Sequence, residues 1–229
     1  GTTLSLVEAI HVAQDNLRKY KPKDYNATVR EADTARKEHY IDEIAKVVEH
    51  AALGLQEAMK SDNKIIGETD YKAKLPGNAL PHNTLPDYGR RGDLKTKWSS
   101  PHHNAKDPTT TKWKRGTIPS SLSGMFDMNN VYQVAGFYAL NGKQPPFLVY
   151  ANATDYRVFD QTNTPELRPD YLDGVIEDIT MQHKITENIL RVAQTKEELL
   201  GLVSPDWNSI FWQESPAYIR EARKLWGME

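Results

Sequence analysis

The chain is predicted to be a helix-rich α+β protein, on three observations. Apolar residues step by three and four through residues 5–59 and again through 172–193. Two short apolar runs, Phe147-Leu-Val-Tyr150 and Arg157-Val-Phe159, sit between turn residues as strands do. Between helices and strands lies a stretch, 71–118, broken by five prolines and with no sustained period of either kind. The expected organisation is a helical hairpin over 1–66, an extended basic arm over 67–120, and a small antiparallel β element with C-terminal helices over 121–229. The last is taken as one structural unit.

The N-terminal hairpin has a clear start. Ser5-Leu-Val-Glu8 has the spacing of a capping box, in which the hydroxyl accepts a free amide of the first turn and Glu8 reaches back. Leu6, Ile10, Ala13, Leu17 and Tyr20 then make one apolar stripe, which Lys21-Pro22 ends because proline has no amide hydrogen. A second helix is expected from Asp24 to Met59. Ile41, Ile44, Val48, Ala51, Leu55 and Ala58 repeat along it at heptad spacing suited to packing on another helix. His39 and Glu43, one turn apart, read as a structural pair on a solvated face, and Lys64-Ile-Ile-Gly67 as a short strand.

The arm is the feature that asks for a functional explanation. Residues 71–118 carry ten Lys or Arg against three Asp, a net +7 in a chain whose total is −2, so the rest carries −9. A structureless run of this length inside a compact domain is usually functional or disordered. The expectation is that foreign protein holds it down, with rings seated in pockets of a partner. Candidate partner-binding residues are therefore Arg90, Arg91, Lys95, Lys97, Trp98, Lys112, Trp113, Lys114 and Arg115, with Trp207, Trp212 and Trp226 from the aromatic-rich C-terminus. Nucleic acid is the less favoured occupant, because an acidic body would repel phosphates. His102-His103 is the main histidine cluster, but adjacent residues of an extended chain point opposite ways and do not share an ion. Arg91-Gly92-Asp93 spells an adhesion tripeptide too short to carry weight.

Beyond the arm, Val131, Tyr132, Val134, Phe137, Tyr138 and Leu140 read as a strand. Asn141-Gly142 follows as the turn of a tight hairpin returning through Phe147–Tyr150. Pro145-Pro146 would confine the returning strand to a sheet edge. Asp155, Asp160, Glu166, Asp170, Asp173, Glu177 and Asp178 form an acidic zone whose default reading is a solvated face. A helix to about Ala193 follows. Then come a second capping box at Thr195-Lys-Glu-Glu198, and helix starts at Ser204-Pro205 and Ser215-Pro216.

Composition excludes several chemistries. With no cysteine there are no disulfides, thiolate metal sites or cysteine nucleophiles. No apolar run is long enough to cross a bilayer. Phosphate-binding glycine loops, dinucleotide fingerprints and nucleophile elbows are missing, which weighs against catalysis. No catalytic, cofactor or metal residue is assigned. Asn26-Ala-Thr and Asn152-Ala-Thr match the glycosylation triplet. The expected function is a non-catalytic accessory or structural subunit of a multiprotein assembly, docking on other protein subunits through its helices and the wrapping arm. A start at Gly1 suits a trimmed chain or one whose presequence has been removed, and the expected setting is a mitochondrion, with the bacterial envelope as runner-up. The alternative is a small-ligand sensor domain of an extracytoplasmic receptor, with Tyr132, Tyr138, Tyr150 and Arg157 lining a pocket. The order of long helices before a small sheet resembles the extracellular sensor domains of bacterial receptors in architecture alone. A third reading is an enzyme using the acidic zone or His102 and His103.

Overall fold

The computed structural model describes residues 5–21, 27–60, 71–88, 91–104, 107–207 and 216–228. Two compact units form, one from residues 1–73 and 82–176, the other from 74–81 and 177–229. The fold is helix-rich α+β, as predicted.

In the first unit α1 (Leu6–Lys19) opens on the capping box: Glu8 N–H donates to Ser5 Oγ at 3.3 Å and Ser5 N–H to Glu8 Oε2 at 2.7 Å. These bonds to the ionised form hold the Glu8 carboxyl below its usual range. α2 (Ala27–Ala58) lies against α1, and Lys37 Nζ donates to the terminal carbonyls of Arg18 and Tyr20 at 2.7 and 2.9 Å. That satisfies oxygens which a helix end leaves open, and places a cation at the negative end of the dipole. The antiparallel pairing of the first two helices is thus as read from the sequence.

The central sheet has three strands in the order β3 (Gly92–Thr96), β6 (Phe147–Ala151), β7 (Tyr156–Phe159). β6 runs parallel to β3 and antiparallel to β7. Every residue of β6 is buried, because helices cover both faces. Phe147 and Val149 join Met59 and Val158 in a core cluster, to which Leu55 and Ala58 of α2 add their side chains. On the opposite face, Tyr150 accepts a 2.6 Å hydrogen bond from Asn130 of α3 (Met125–Leu140).

Three expectations need correction here. First, residues 131–140 belong to helix α3, not to a strand. Val131, Val134, Ala135, Phe137 and Tyr138 are all buried, so the run is apolar almost all round and alternation is no guide. Asn141-Gly142 ends the helix instead of turning a hairpin. Gly142 adopts φ +63° and Lys143 N–H donates to Tyr138 O at 2.9 Å, the pattern of a Schellman cap. Second, β6 is the middle strand of its sheet. Pro145 and Pro146 precede the ladder, and Phe147, the first paired residue, already donates its N–H to Arg91 O at 3.2 Å.

Third, the basic run is largely β-structure. β1 (Tyr71–Lys74) and β2 (Pro81–Thr84) pair, β3 enters the main sheet, and β4 (Ser100–Asn104) pairs antiparallel with β5 (Asp107–Lys114). Its own molecule holds the run, so the argument that a foreign surface must order it fails.

In the second unit the distal part of α4 (Pro169–Val192) anchors the loop 74–81: Glu187 Oε1 accepts the amides of Ala79 and Leu80 at 2.6 and 2.7 Å. α5 (Lys196–Leu202) opens on the predicted capping box of Thr195 and Glu198. α6 (Pro216–Leu225) ends beside Trp226, whose Nε1 donates to Val203 O at 3.1 Å. The strand expected at 64–67 and Asn26 lie outside the described residues, as do the helix expected beyond Trp207 and the Ser215 cap.

Candidate functional site

The residues singled out in the basic run converge only in part. β5 presents Trp113 to α2, where its ring stacks on His39 with centroids 3.9 Å apart and planes 3° from parallel. Lys112 and Lys114, one residue to either side, are exposed, as strand alternation requires. Trp98 joins the same platform through Tyr40, at 4.9 Å between centroids. Tyr40 Oη donates to Ser99 O at 2.9 Å, and its burial pushes the phenol pKa up.

Beneath these rings Glu43 is buried, not solvated as expected. Its Oε1 accepts the Ser99 hydroxyl at 2.6 Å, Oε2 accepts the Ser99 amide at 3.3 Å, and His39 Nε2 lies 3.8 Å from Oε2. The Ser99 hydroxyl donates to a carboxylate and not to the imidazole, so His39 does not act as its base. The cluster clamps the ribbon to α2. A polar cleft of about 320 Å³ lies beside it, lined by His39, Asp42, Lys46, Trp113, Arg115 and Thr154.

The other cations of the run are engaged elsewhere. Arg91 sits over the Phe147 ring at 5.4 Å and donates to Pro145 O at 3.1 Å. Lys95 Nζ lies 2.6 Å from Asp93 Oδ2, Lys97 lies over the Tyr150 ring at 5.1 Å, and Arg115 donates to Thr154 Oγ1 at 2.9 Å. Lys112, Lys114 and Arg115 are exposed among these, whereas Arg91, Lys95 and Lys97 are half-buried against their partners. Arg90 and Trp212 lie outside the described residues. In the second unit Trp207 and Trp226 pack edge to face at 5.7 Å, with Arg223 over Trp207 at 5.8 Å. Both rings are half-buried within their own unit.

A second concavity of the first unit was not foreseen. A cleft of about 420 Å³ opens between α1, α2 and the β3 region, walled by Leu6, Val48, Ala52, Leu55, Leu94 and Trp98 among others; Ser5 and Thr96 are its polar contributors. Among the described residues no charged side chain lines it. The α2 residues were legible as a stripe, but the facing wall comes from the run thought to be structureless.

The other expected sites do not assemble. Tyr138 and Tyr150 are buried in the core, Tyr132 is exposed on α3, and Arg157 donates to Pro119 O at 2.7 Å, so these four do not line one pocket. The acidic zone is dispersed: Asp160 caps the turn to Thr164, Asp173 accepts Lys143 at 2.8 Å, and Asp155 accepts the amide of Tyr156. Among the described residues no group of His, Cys, Asp and Glu could hold a metal ion. Asn152 is 3% exposed and its Nδ2 donates to Gly116 O at 2.9 Å, so this triplet is closed to glycosylation in the folded chain. Asp93 is likewise buried, which disposes of the adhesion tripeptide.

No helix among the described residues is long and apolar enough to cross a membrane. No protein-family model, curated protein or solved structure matches the chain.

Proposed function

We propose that the protein is a non-catalytic structural subunit of a larger protein assembly. The observation that carries this is the second half of α4. Met181, Ile185 and Val192 are 60%, 46% and 63% exposed. With Asn188 they fall within one narrow arc of the helix, at the spacing of an interface stripe. Single exposed apolar residues are ordinary, but three aligned on one arc at i, i+4 and i+11 are not. Covering the open half of three such side chains is worth roughly 2 to 4 kcal/mol, enough to bias an encounter but not to fix it alone.

The basic ribbon adds to the reading as a largely strand-paired surface and not as a loose arm. Its outward Lys112 and Lys114 suit the rim of a contact with an acidic protein face.

The double variant Met181→Glu/Ile185→Glu tests it. In an extract of the cells that make the protein, the wild-type chain should elute in a particle well above its own 26.0 kDa. The variant should lose that particle by about tenfold or more, with unchanged helical circular dichroism. A wild-type chain that runs at its own mass in the extract would sink the proposal.

A further inference from the structure

The polar cleft beside the Glu43–Ser99 clamp, about 320 Å³ in volume, is walled by α2, the end of β5 and the turn between β6 and β7. Its charged residues, among those described, are Asp42, Glu43 and Lys46 of α2, and Arg115 just past β5. Glu43 is already spent: it is buried, and its two oxygens accept the Ser99 hydroxyl and amide. Asp42, Lys46 and Arg115 are exposed. An acid four residues before a base is the favoured order for pairing along a helix. Yet among the described residues neither Asp42 nor Lys46 makes a hydrogen bond or ion pair through its side chain.

Arg115 is held from within the fold. Its Nη1 donates to Thr154 Oγ1 at 2.9 Å, and that hydroxyl donates to Asn152 Oδ1 at 3.0 Å. Asn152 is buried; its Oδ1 also accepts the amides of Thr154 and Asp155, and its Nδ2 donates to Gly116 O, one residue beyond Arg115. The guanidinium is thus fixed through one nitrogen, and its other N–H groups have no partner among the described residues. A planar fork oriented in advance suits a carboxylate, because little side-chain freedom is left to lose. Trp113, stacked on His39, adds a flat aromatic patch to the same cleft.

Two positive groups and one negative group restrict what the cleft accepts. A plain anion satisfies Lys46 and Arg115 but meets the Asp42 carboxylate, and a plain cation answers Asp42 but is repelled by the other two. An uncharged molecule strips water from all three and returns nothing of equal strength. A molecule with both a carboxylate and an ammonium answers both signs. We propose that this cleft binds a small zwitterion of the free α-amino acid class. Its carboxylate lies on Arg115 and Lys46, its ammonium on Asp42, and its side chain beside Trp113. The volume lies at the lower end of small-molecule sites, as a ligand of that size requires. Such a site goes beyond the assembly reading and does not depend on it.

Thermal melting and isothermal titration calorimetry of the purified chain test this with the free proteinogenic L-amino acids, each at about 10 mM or its solubility limit. At least one should raise the melting temperature by about 2 °C or more. Its N-acetyl and carboxamide derivatives, each lacking one of the two charges, should bind about tenfold more weakly or worse. Asp42→Asn and Lys46→Met should each weaken binding about tenfold. Both positions are exposed and neither side chain is bonded within the described fold, so circular dichroism and the ligand-free melting temperature should not change. Arg115→Lys should weaken binding too, because an ammonium lacks the planar fork that holds Thr154 and a carboxylate together.

Failure of every amino acid to stabilise the chain overturns the proposal. Blocked derivatives that bind as well as the free amino acid do the same, since only one charge would then be read. Binding left intact by both Asp42→Asn and Lys46→Met overturns it too, by placing the ligand elsewhere.

Discussion

Gly116→Ala is expected to destabilise the first unit by about 3 kcal/mol or more. A β-carbon at Gly116 would lie 2.3 Å from the carbonyl oxygen of Lys97, 2.5 Å from its carbon and 2.6 Å from the oxygen of Trp98. All three are backbone atoms, so no side chain can swing aside. Nor can the backbone yield cheaply, since Lys97 N–H donates to Ala151 O at 2.8 Å, continuing the β3–β6 ladder, while Gly116 O accepts Asn152 Nδ2 at 2.9 Å. Gly142→Ala is the control. Its φ is +63° but nothing lies within 4 Å, so only the left-handed conformation is penalised, at about 1 to 2 kcal/mol. Urea unfolding of both variants measures the difference, and equal midpoints would show that the crossing at Gly116 is not tight.

That crossing also explains why the basic run misleads as a sequence. What orders it is not local. Gly92 pairs with Phe147, over fifty residues downstream, and Gly116 is locked by the turn after β6. Periodicity reports which face of an element is buried, and a ribbon whose one face carries lysines and threonines shows little of it. Trp113 between Lys112 and Lys114 is the visible trace of alternation, easily taken for charge punctuated by aromatics. α1 and α5 were legible because a capping box is a local contract between a hydroxyl and a glutamate three residues on. α3 was not, because a helix apolar almost all round loses its period, and Asn-Gly serves a Schellman cap as well as a hairpin. Of the candidate site, the α2 stripe was written in steps of three and four, whereas Met181 and Val192 of α4 were not singled out. The facing wall of the cleft and the Glu43–Ser99 clamp each need a partner over thirty residues away.

The second large effect concerns Asp93, read at first as the end of an adhesion tripeptide. It is 2% exposed on β3, with Oδ1 accepting Gln133 Nε2 at 3.1 Å and Oδ2 2.6 Å from Lys95 Nζ. Lys95 in turn donates to Gln133 Oε1 at 2.8 Å, which closes a small polar ring under α3. Burial raises the Asp93 pKa from the usual 3.8 to about 6; Lys95 opposes that rise and Asp87 adds to it, but desolvation prevails. The folded state therefore binds a proton more tightly than the unfolded chain. Between about pH 4 and pH 6 the folded form carries the extra proton, so the contribution of Asp93 to stability declines as pH rises through that window and is level on either side. A shift of this size corresponds to about 3 kcal/mol. Asp93→Asn removes the titration while keeping an oxygen for Gln133, and Lys95, 27% exposed at its side chain, can turn its ammonium towards water. At pH 4 the variant should match the wild type, and at pH 7 it should exceed it by up to about 3 kcal/mol in urea unfolding. Parallel stability curves across pH 4 to 7 would mean that the Lys95 ammonium outweighs burial and that Asp93 is ionised at no cost.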